Sequence, residues 1–323
     1  MLAFAVDAQR RSPDGIQKIE IGAQAIEAFD PREPARAQFG PLTFRGGLVL
    51  TSPHRDFGGV SGLRMDPDGA RFLAVTDKGH WLRGRIVYRD NRPIAIADAE
   101  MAPLLGGDGR PLNRRRGWYD SESLAGDGGT IYVGFERVHE IVRLDFGRDG
   151  LRARGQPIAA PPGLKTLPNN RGLECLALPH KGMPLAGTLI AISERGLEAA
   201  GNIQGFLIGG PGGAFTVKRT DDFDITDCTV TPRGELLLLE RRFSWLRGIA
   251  MRIRRVALGQ IRAGAVVDGP EVIFADMAYQ IDNMEGIAVH RAADGTMVLT
   301  LISDDNFSPL QRTVLLQFTM AGE

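Results

Sequence analysis

A chain of 323 residues with 39 Lys and Arg against 39 Asp and Glu has no formal net charge, which argues against a nucleic-acid or anionic-membrane binder, since such domains normally show a basic excess. Its 43% hydrophobic and 24% charged residues are the make-up of an ordinary globular protein and exclude a disordered one. Forty-one Gly and 19 Pro place a backbone punctuator at nearly every fifth position, so frequent turns and short strands are expected rather than long helices.

The N-terminal MLAFAVDAQRRSPDG lacks the basic start and full apolar core of a complete export signal. No apolar stretch, the Leu run of 234–240 included, approaches the ~20 residues of a membrane span. LTFRGGLVLTS (42–52) reads as a strand. From there on, five segments share a pattern of a small or acidic residue, an apolar run and a Gly-bearing turn: SGLRMDPDG, ESLAGDGG, ECLALPHKG, DCTVTPRG and EGIAVHRAADG. They start at 61, 122, 174, 227 and 285, spacings of 61, 52, 53 and 58 residues. Each turn leads into a second apolar run: RFLAVTDKG (71–79), TIYVGFERVH (130–139), TLIAISERG (188–196), ELLLLERR (235–242) and TMVLTLISDDN (296–306). Two β-rich runs about a Gly turn signal a hairpin, and further strand candidates follow at 140–146, 205–209 and 313–319.

A hairpin plus two more strands every ~50 to 60 residues is what a four-stranded propeller blade requires. The reading is therefore an all-β propeller with five visible blades, a diverged sixth having room only in residues 1–60. The 42–52 strand is expected to close the ring as the outer strand of the C-terminal blade. Residues 1–41 then form an extension or outer strands and 42–323 one domain. A pair of β-sandwiches is the rival architecture.

Matched positions suggest two rings. At the start of the first strand stand Glu122, Glu174, Asp227 and Glu285, with Ser61 in the first repeat. Carboxylates converging on one axis repel unless a cation or several Arg sit among them, and an all-oxygen set suits Ca²⁺ better than Zn²⁺. The alternative is that they accept hydrogen bonds from backbone amides of the next blade. At the end of the second strand stand acid–base pairs, Asp77-Lys78, Glu136-Arg137, Glu194-Arg195 and Glu240-Arg241, with Asp304-Asp305 in the fifth repeat. These form either a circular ion-pair network or, through Lys78, Arg137, Arg195 and Arg241, a seat for an anionic substrate. His80 and His139 each follow an acid of this row by three residues and are candidate proton carriers; His290 reads as structural.

Cys175 and Cys228 read as free, buried thiols. The basic run 114–116, followed by Trp118 and Tyr119, reads as a solvated loop, the alternative being a lip of the channel mouth. No G-x-S-x-G elbow, H-E-x-x-H, P-loop or dinucleotide fingerprint stands in its required context.

The stretch IDNMEGIAVHRAADGTMVLTLISDDNFSPLQRTVLLQF (281–318) resembles the phytase-like proteins described as having esterase-like activity, with their N-x-E-G and S-D-D-N-F…Q-x-T elements intact. GGVSGLRMDPDG (58–69) and TDKG (76–79) fit earlier elements. DSESLA (120–125) and NRGLECLAL (170–178) fit with departures at Ser121, Ser123, Leu173 and Cys175. The resemblance covers about 42–319 and implies a propeller, often exported to the periplasm or secreted, with suspected hydrolysis of phosphate or carboxylic esters. Residue by residue it points to Glu122, Glu174, Glu285, Asp304, Asp305 and Asn306.

The function expected is metal-assisted hydrolysis of a small anionic ester, with a phosphoester as the leading case. Ca²⁺ would be held by Glu122, Glu174, Asp227, Glu285, Asp304 and Asp305, and neither nucleic acid nor a membrane span is involved. The alternative is a non-catalytic ligand- or protein-binding propeller with structural Ca²⁺.

Overall fold

Alternating apolar runs and Gly turns produce five sheets ringed about one axis in the computed structural model, which describes residues 15–112, 118, 120–127, 129–246 and 248–320. The basic run 114–116 and Tyr119 lie outside the described residues. Blade one comprises Val60–Met65, Arg71–Thr76, His80–Arg89 and Arg92–Pro103. Blade two comprises Ser121–Gly126, Thr130–Phe135, Glu140–Asp145 and Arg154–Pro157. Blade three comprises Leu173–Ala177, Leu189–Leu197, Ile203–Ile208 and Gly213–Val217. Blade four comprises Asp224–Val230, Glu235–Ser244, Gly248–Ala257 and Glu271–Asp276. Blade five takes Asn283–Arg291, Met297–Asp304 and Thr313–Met320 from the C-terminus and Leu42–Thr51 from the N-terminus.

That last pairing, running antiparallel from Thr313 opposite Leu50 to Met320 opposite Leu42, is the closure expected from the sequence, and the blades number five. The described residues before 52 build no sixth blade. Gly22–Ile26 adds a strand outside Leu42–Thr51, and Gln17–Lys18 pairs with blade one. No helix of the described residues is long and apolar enough to cross a membrane.

The inner strands are buried on both faces because a blade is sandwiched between its neighbours, while outer strands such as Arg154–Pro157 and Gly213–Val217 are partly exposed. Five apolar clusters result, one in each gap between adjacent blades. This explains why the second strands read as continuous apolar runs such as Leu236–Leu239 rather than as alternation.

Two further devices fasten the inner strands. Cys175 and Cys228, both fully buried, are joined in a disulfide between blades three and four, which corrects the expectation of free thiols. The Arg64 guanidinium, from blade one, donates to the carbonyls of Leu63 (2.5 Å), Leu176 (2.6 Å), Ile287 (3.4 Å) and Cys228 (3.5 Å), and so reaches the inner strands of blades three, four and five.

A crosslink closing a loop of 53 residues removes enough unfolded-chain entropy to stabilise by about 4 kcal/mol. The double substitution Cys175→Ser, Cys228→Ser is expected to lower unfolding free energy by roughly that amount in denaturant titration. A loss below about 1 kcal/mol would show that the crosslink does not hold these blades.

Candidate metal centre at the channel mouth

The inner strands do not run straight past the axis. Each carries a one-residue bulge near its start: at Glu122 in blade two, Glu174 in blade three, Thr226 in blade four and Glu285 in blade five. An extra residue in one strand leaves it unpaired and re-aims its side chain, and here it turns toward the channel. In blade one the bulge comes one residue later, at Gly62, whose φ of +53° suits glycine. Ser61 therefore keeps the position beside Glu122, its hydroxyl buried near that carboxyl but without a hydrogen-bond partner among the described residues.

The second row sits where the second strands end, and pairing fixes its members as Asp77, Glu136, Glu194, Arg241 and Asp304. Phe135, Ser193, Glu240 and Ser303 pair opposite the residue just before each bulge, so the next residue of each blade overhangs the mouth.

Blade four departs from both expectations, by one residue each time. Asp227 is not the ring residue. It follows the bulge, faces blade five and accepts a hydrogen bond from the Ile287 amide at 2.8 Å, with Arg64 at 4.0 Å. Burial raises its pKa to about 7, Arg64 opposing. This is the inter-blade amide bond weighed as the alternative in the sequence, realised at this one position.

Glu240, fully buried, likewise turns away from the mouth and is gripped by Arg252 (2.6 Å) and Arg254 (2.6 Å). Arg241 takes the place that an acid holds in the other four blades. It bonds the Asn283 side chain and lies 3.3 Å from Glu194 and 3.1 Å from Glu285.

The mouth thus gathers Glu122, Glu174 and Glu285 in one ring and Asp77, Glu136, Glu194 and Asp304 in the next, against Arg241. Burial pushes every one of these carboxyls upward, and the neighbouring acids add to it: Asp77 and Glu285 to about 8, Asp304 to about 7, and Glu122, Glu136, Glu174 and Glu194 also above their ordinary range. Conversely, the Arg241 pKa is raised, first by Glu285.

Three of the acids are close enough to share an ion. One carboxylate oxygen from each of Glu136, Glu174 and Glu194 lies within 4.8 Å of the others, and oxygens around Ca²⁺ at about 2.4 Å stand at most about 5 Å apart. Glu174 is 8% exposed; four carboxylates crowd it, Arg241 faces it through space, and it has no hydrogen-bond donor among the described residues. An unpartnered buried carboxylate fits a hard cation. Glu136 is held in position by the Gly172 amide at 3.1 Å, and a Cβ on Gly172 would come within 2.9 Å of the Glu136 carbonyl. The acid-then-base row did signal Glu136, Glu194 and Asp77, but as ion-pair members rather than ligands.

Other expected site residues stand at the rim. Arg137 pairs with Asp120, Arg195 lies 3.3 Å from Asp224, and the Lys78 ammonium stacks 3.3 Å over the Phe307 ring. Asp305 accepts from the Gly59 amide at 3.0 Å, the Phe307 amide at 3.0 Å and the Thr313 hydroxyl at 3.1 Å, so its oxygens brace a loop between blades five and one rather than face the ring. The Asn306 amide donates to Asp304 at 2.6 Å.

Neither histidine joins the carboxylates. Burial lowers the His80 pKa, and the charges acting on it are Asp56, His54, Lys78 and Arg55. Burial also lowers that of His139, whose ring packs behind Glu136 at Gly172. The proton-carrying role expected of them finds no support in these surroundings. His290 lies deeper, its pKa lowered to about 4 by burial.

A raised carboxyl pKa means that the native state holds protons the unfolded chain has released. Stability from these groups is therefore full below about pH 4 and is lost as pH rises toward 7 to 8. In chelator the melting temperature is expected to fall between pH 5 and 8. Millimolar Ca²⁺ should remove the fall, because ionised carboxylates then gain a partner, and Glu174→Gln should weaken that rescue. Identical pH profiles with and without divalent cation would show that the mouth binds none.

Among curated proteins none matches in sequence. Solved structures similar to this chain include the glutaminyl cyclase of Myxococcus xanthus, at 14% identity and a TM-score of 0.45 over 85% of this chain and 97% of that one. Another is the PQQ-bound aldose sugar dehydrogenase of Streptomyces coelicolor, at 12% identity and a TM-score of 0.46 over 88% and 99%. A putative 6-phosphogluconolactonase of Bacteroides uniformis is similar at 12% identity and a TM-score of 0.38 over 94% and 83%. Residues 55–307, the greater part of the chain, match the family described as phytase-like, esterase-like activity of phytase, and the chain belongs to that family.

Proposed function

We propose that the channel mouth is a Ca²⁺-assisted hydrolytic site for a small anionic ester, with phosphoesters the leading class. The observation that carries this reading is the juxtaposition of a carboxylate cluster able to hold a cation with one arginine able to hold an anion. Glu136, Glu174 and Glu194 form the ion's seat, with Glu122, Glu285 and Asp304 within the same acidic mouth. A bound Ca²⁺ supplies charge neutralisation at the ester's oxygens and acidifies water. Arg241 engages the anionic group through its guanidinium, which Asn283, Glu194 and Glu285 hold in place.

Asp77 has a buried Oδ1 without a hydrogen-bond partner among the described residues. In this reading that oxygen takes the proton from the attacking water as the new oxygen–phosphorus bond forms. A protonated neighbour, Glu122, returns a proton to the leaving ester oxygen as its bond to phosphorus breaks. Arg64 spans the inner strands beneath, bonding carbonyls two residues deeper than Glu174, Thr226 and Glu285, so substrate enters from the mouth. The buried Cys175–Cys228 disulfide supports an oxidising, exported location, periplasmic or secreted.

A panel of phosphate and carboxylic esters, assayed with Ca²⁺ and with EDTA, tests the reaction. Turnover is expected with Ca²⁺ and not with EDTA. Arg241→Met should lower kcat/KM by at least about 10²-fold, the usual scale for one preorganised charged donor. No turnover on either class, alongside undiminished Ca²⁺ binding, would leave a non-catalytic binding propeller instead.

A further inference from the structure

Above the mouth blade four differs from blades one, two and five in how far its second strand runs. It differs from blade three, whose second strand also runs three residues past its ring acid to Leu197 but with its pairing broken between Ile192 and Leu197, in staying paired throughout. In blades one and two the second strand ends at Thr76 and Phe135, just before the ring acid, and in blade five it ends on the ring acid Asp304. In blade four it continues three residues past Arg241, to Ser244, paired throughout with the strand that begins at Gly248. At about 3.3 Å per residue the hairpin rises roughly 10 Å above the ring. Its tip is apolar and uncovered: Phe243 is 56% exposed, Trp245 94% and Leu246 97%.

Strand alternation fixes which way the tip faces. Leu237 and Leu239 pack toward blade five, and Arg241 reaches Glu285 and Asn283 of that blade, so Phe243 shares their face. Its cross-strand partner Ile249 packs on the same apolar cluster, which confirms the side. Trp245 then meets Phe243 edge to face, ring centroids 5.2 Å apart. Phe243 therefore stands about 7 Å outward of Arg241 on one continuous side of one strand. The loop of the adjacent blade five that follows Asp304 also exposes Leu310, at 91%.

We propose that this hairpin tip is the specificity element of the mouth: Phe243 and Trp245 receive the apolar group of an amphiphilic anionic ester whose charged head is held at Arg241. The inference rests on the reading of the mouth as an anionic-ester site and names the rest of the substrate. A ligand gripped by its anion at Arg241 can extend outward along the strand that carries that arginine, and the surface it meets there is aromatic. Small inorganic or sugar phosphates have nothing to place there. Esters with an aryl group or a chain of four or more carbons do.

The test separates the two readings because it measures binding without turnover. n-Alkylphosphonates from ethyl to octyl, titrated calorimetrically into Ca²⁺-loaded protein, are expected to bind with affinity rising at least about tenfold along the series, part of what full burial of the added methylenes would give. In the double variant Phe243→Ser, Trp245→Ser the rise should flatten, while ethylphosphonate affinity and melting temperature stay as in the parent, both side chains being exposed. Length-independent binding in the parent would overturn the specificity role and leave the anion site standing. No binding at any length would overturn both. Partition of the parent, but not the variant, onto phosphatidylglycerol vesicles without chain-length dependence would assign the tip to a bilayer and overturn the proposal.

Discussion

One extra residue near the start of each inner strand governs the chemistry of the molecule. A strand presents its side chains alternately to its two faces, and in a propeller both faces are occupied by neighbouring blades, so a regular inner strand offers the axis only its backbone edge. The bulge releases one residue per blade from that alternation and aims it inward. In blades two, three and five the released residue is glutamate, and three carboxylates converge. The same insertion sets the register of the hairpin partner, which carries the second acid row out to the end of the second strand.

That convergence is costly and the magnitudes decide how it can persist. Two like charges 4.8 Å apart repel by about 3.5 kcal/mol at an effective dielectric of 20. A few such pairs fully ionised would rival the whole 5–15 kcal/mol that typically holds a domain folded. Protons or a cation must therefore sit among the acids, and the upward-pushed carboxyl pKa values are the same statement in another form. The frame that tolerates this is built for it: five apolar clusters, a disulfide between blades three and four, and Arg64 tied to four inner strands. None of these depends on the protonation of the mouth.

The fold was legible because a repeat of a hairpin with a Gly turn survives substitution of nearly every other residue, and the closing strand at 42–52 because it is a β-rich run standing ahead of the first hairpin while the last blade lacked an outer strand. Register in blade four was not. Asp227 and Glu240 each lie one residue beside the ring position, and matching acid to acid across repeats skips the bulge at Thr226 and selects them. The usual arbiter, alternation, is missing where Leu236–Leu239 is buried on both sides. The disulfide escaped for a related reason: Cys175 stands one residue past its bulge and Cys228 two, so they face each other across the gap although their sequence contexts look equivalent. Glu136 and Glu194 were visible as acids, but only geometry separates a ligand from half of an ion pair.

The departures of blade four form a set. It gives up its glutamate for Thr226, its second-row acid for Arg241 and its short hairpin for a long aromatic one. Had blade four kept an acid in the second row as the other four blades do, the mouth would bind cations and repel every anion. One arginine within a ring of carboxylates makes an ion's seat into a place where an anion can lie beside it. Arg241 can hold that position only because Glu240 is drawn off by Arg252 and Arg254 on the opposite face, leaving Arg241 to its bonds across the mouth. Repetition thus supplies the rigid, charged frame. The direction in which a substrate lies is set by the one blade that puts an arginine where the other four hold an acid.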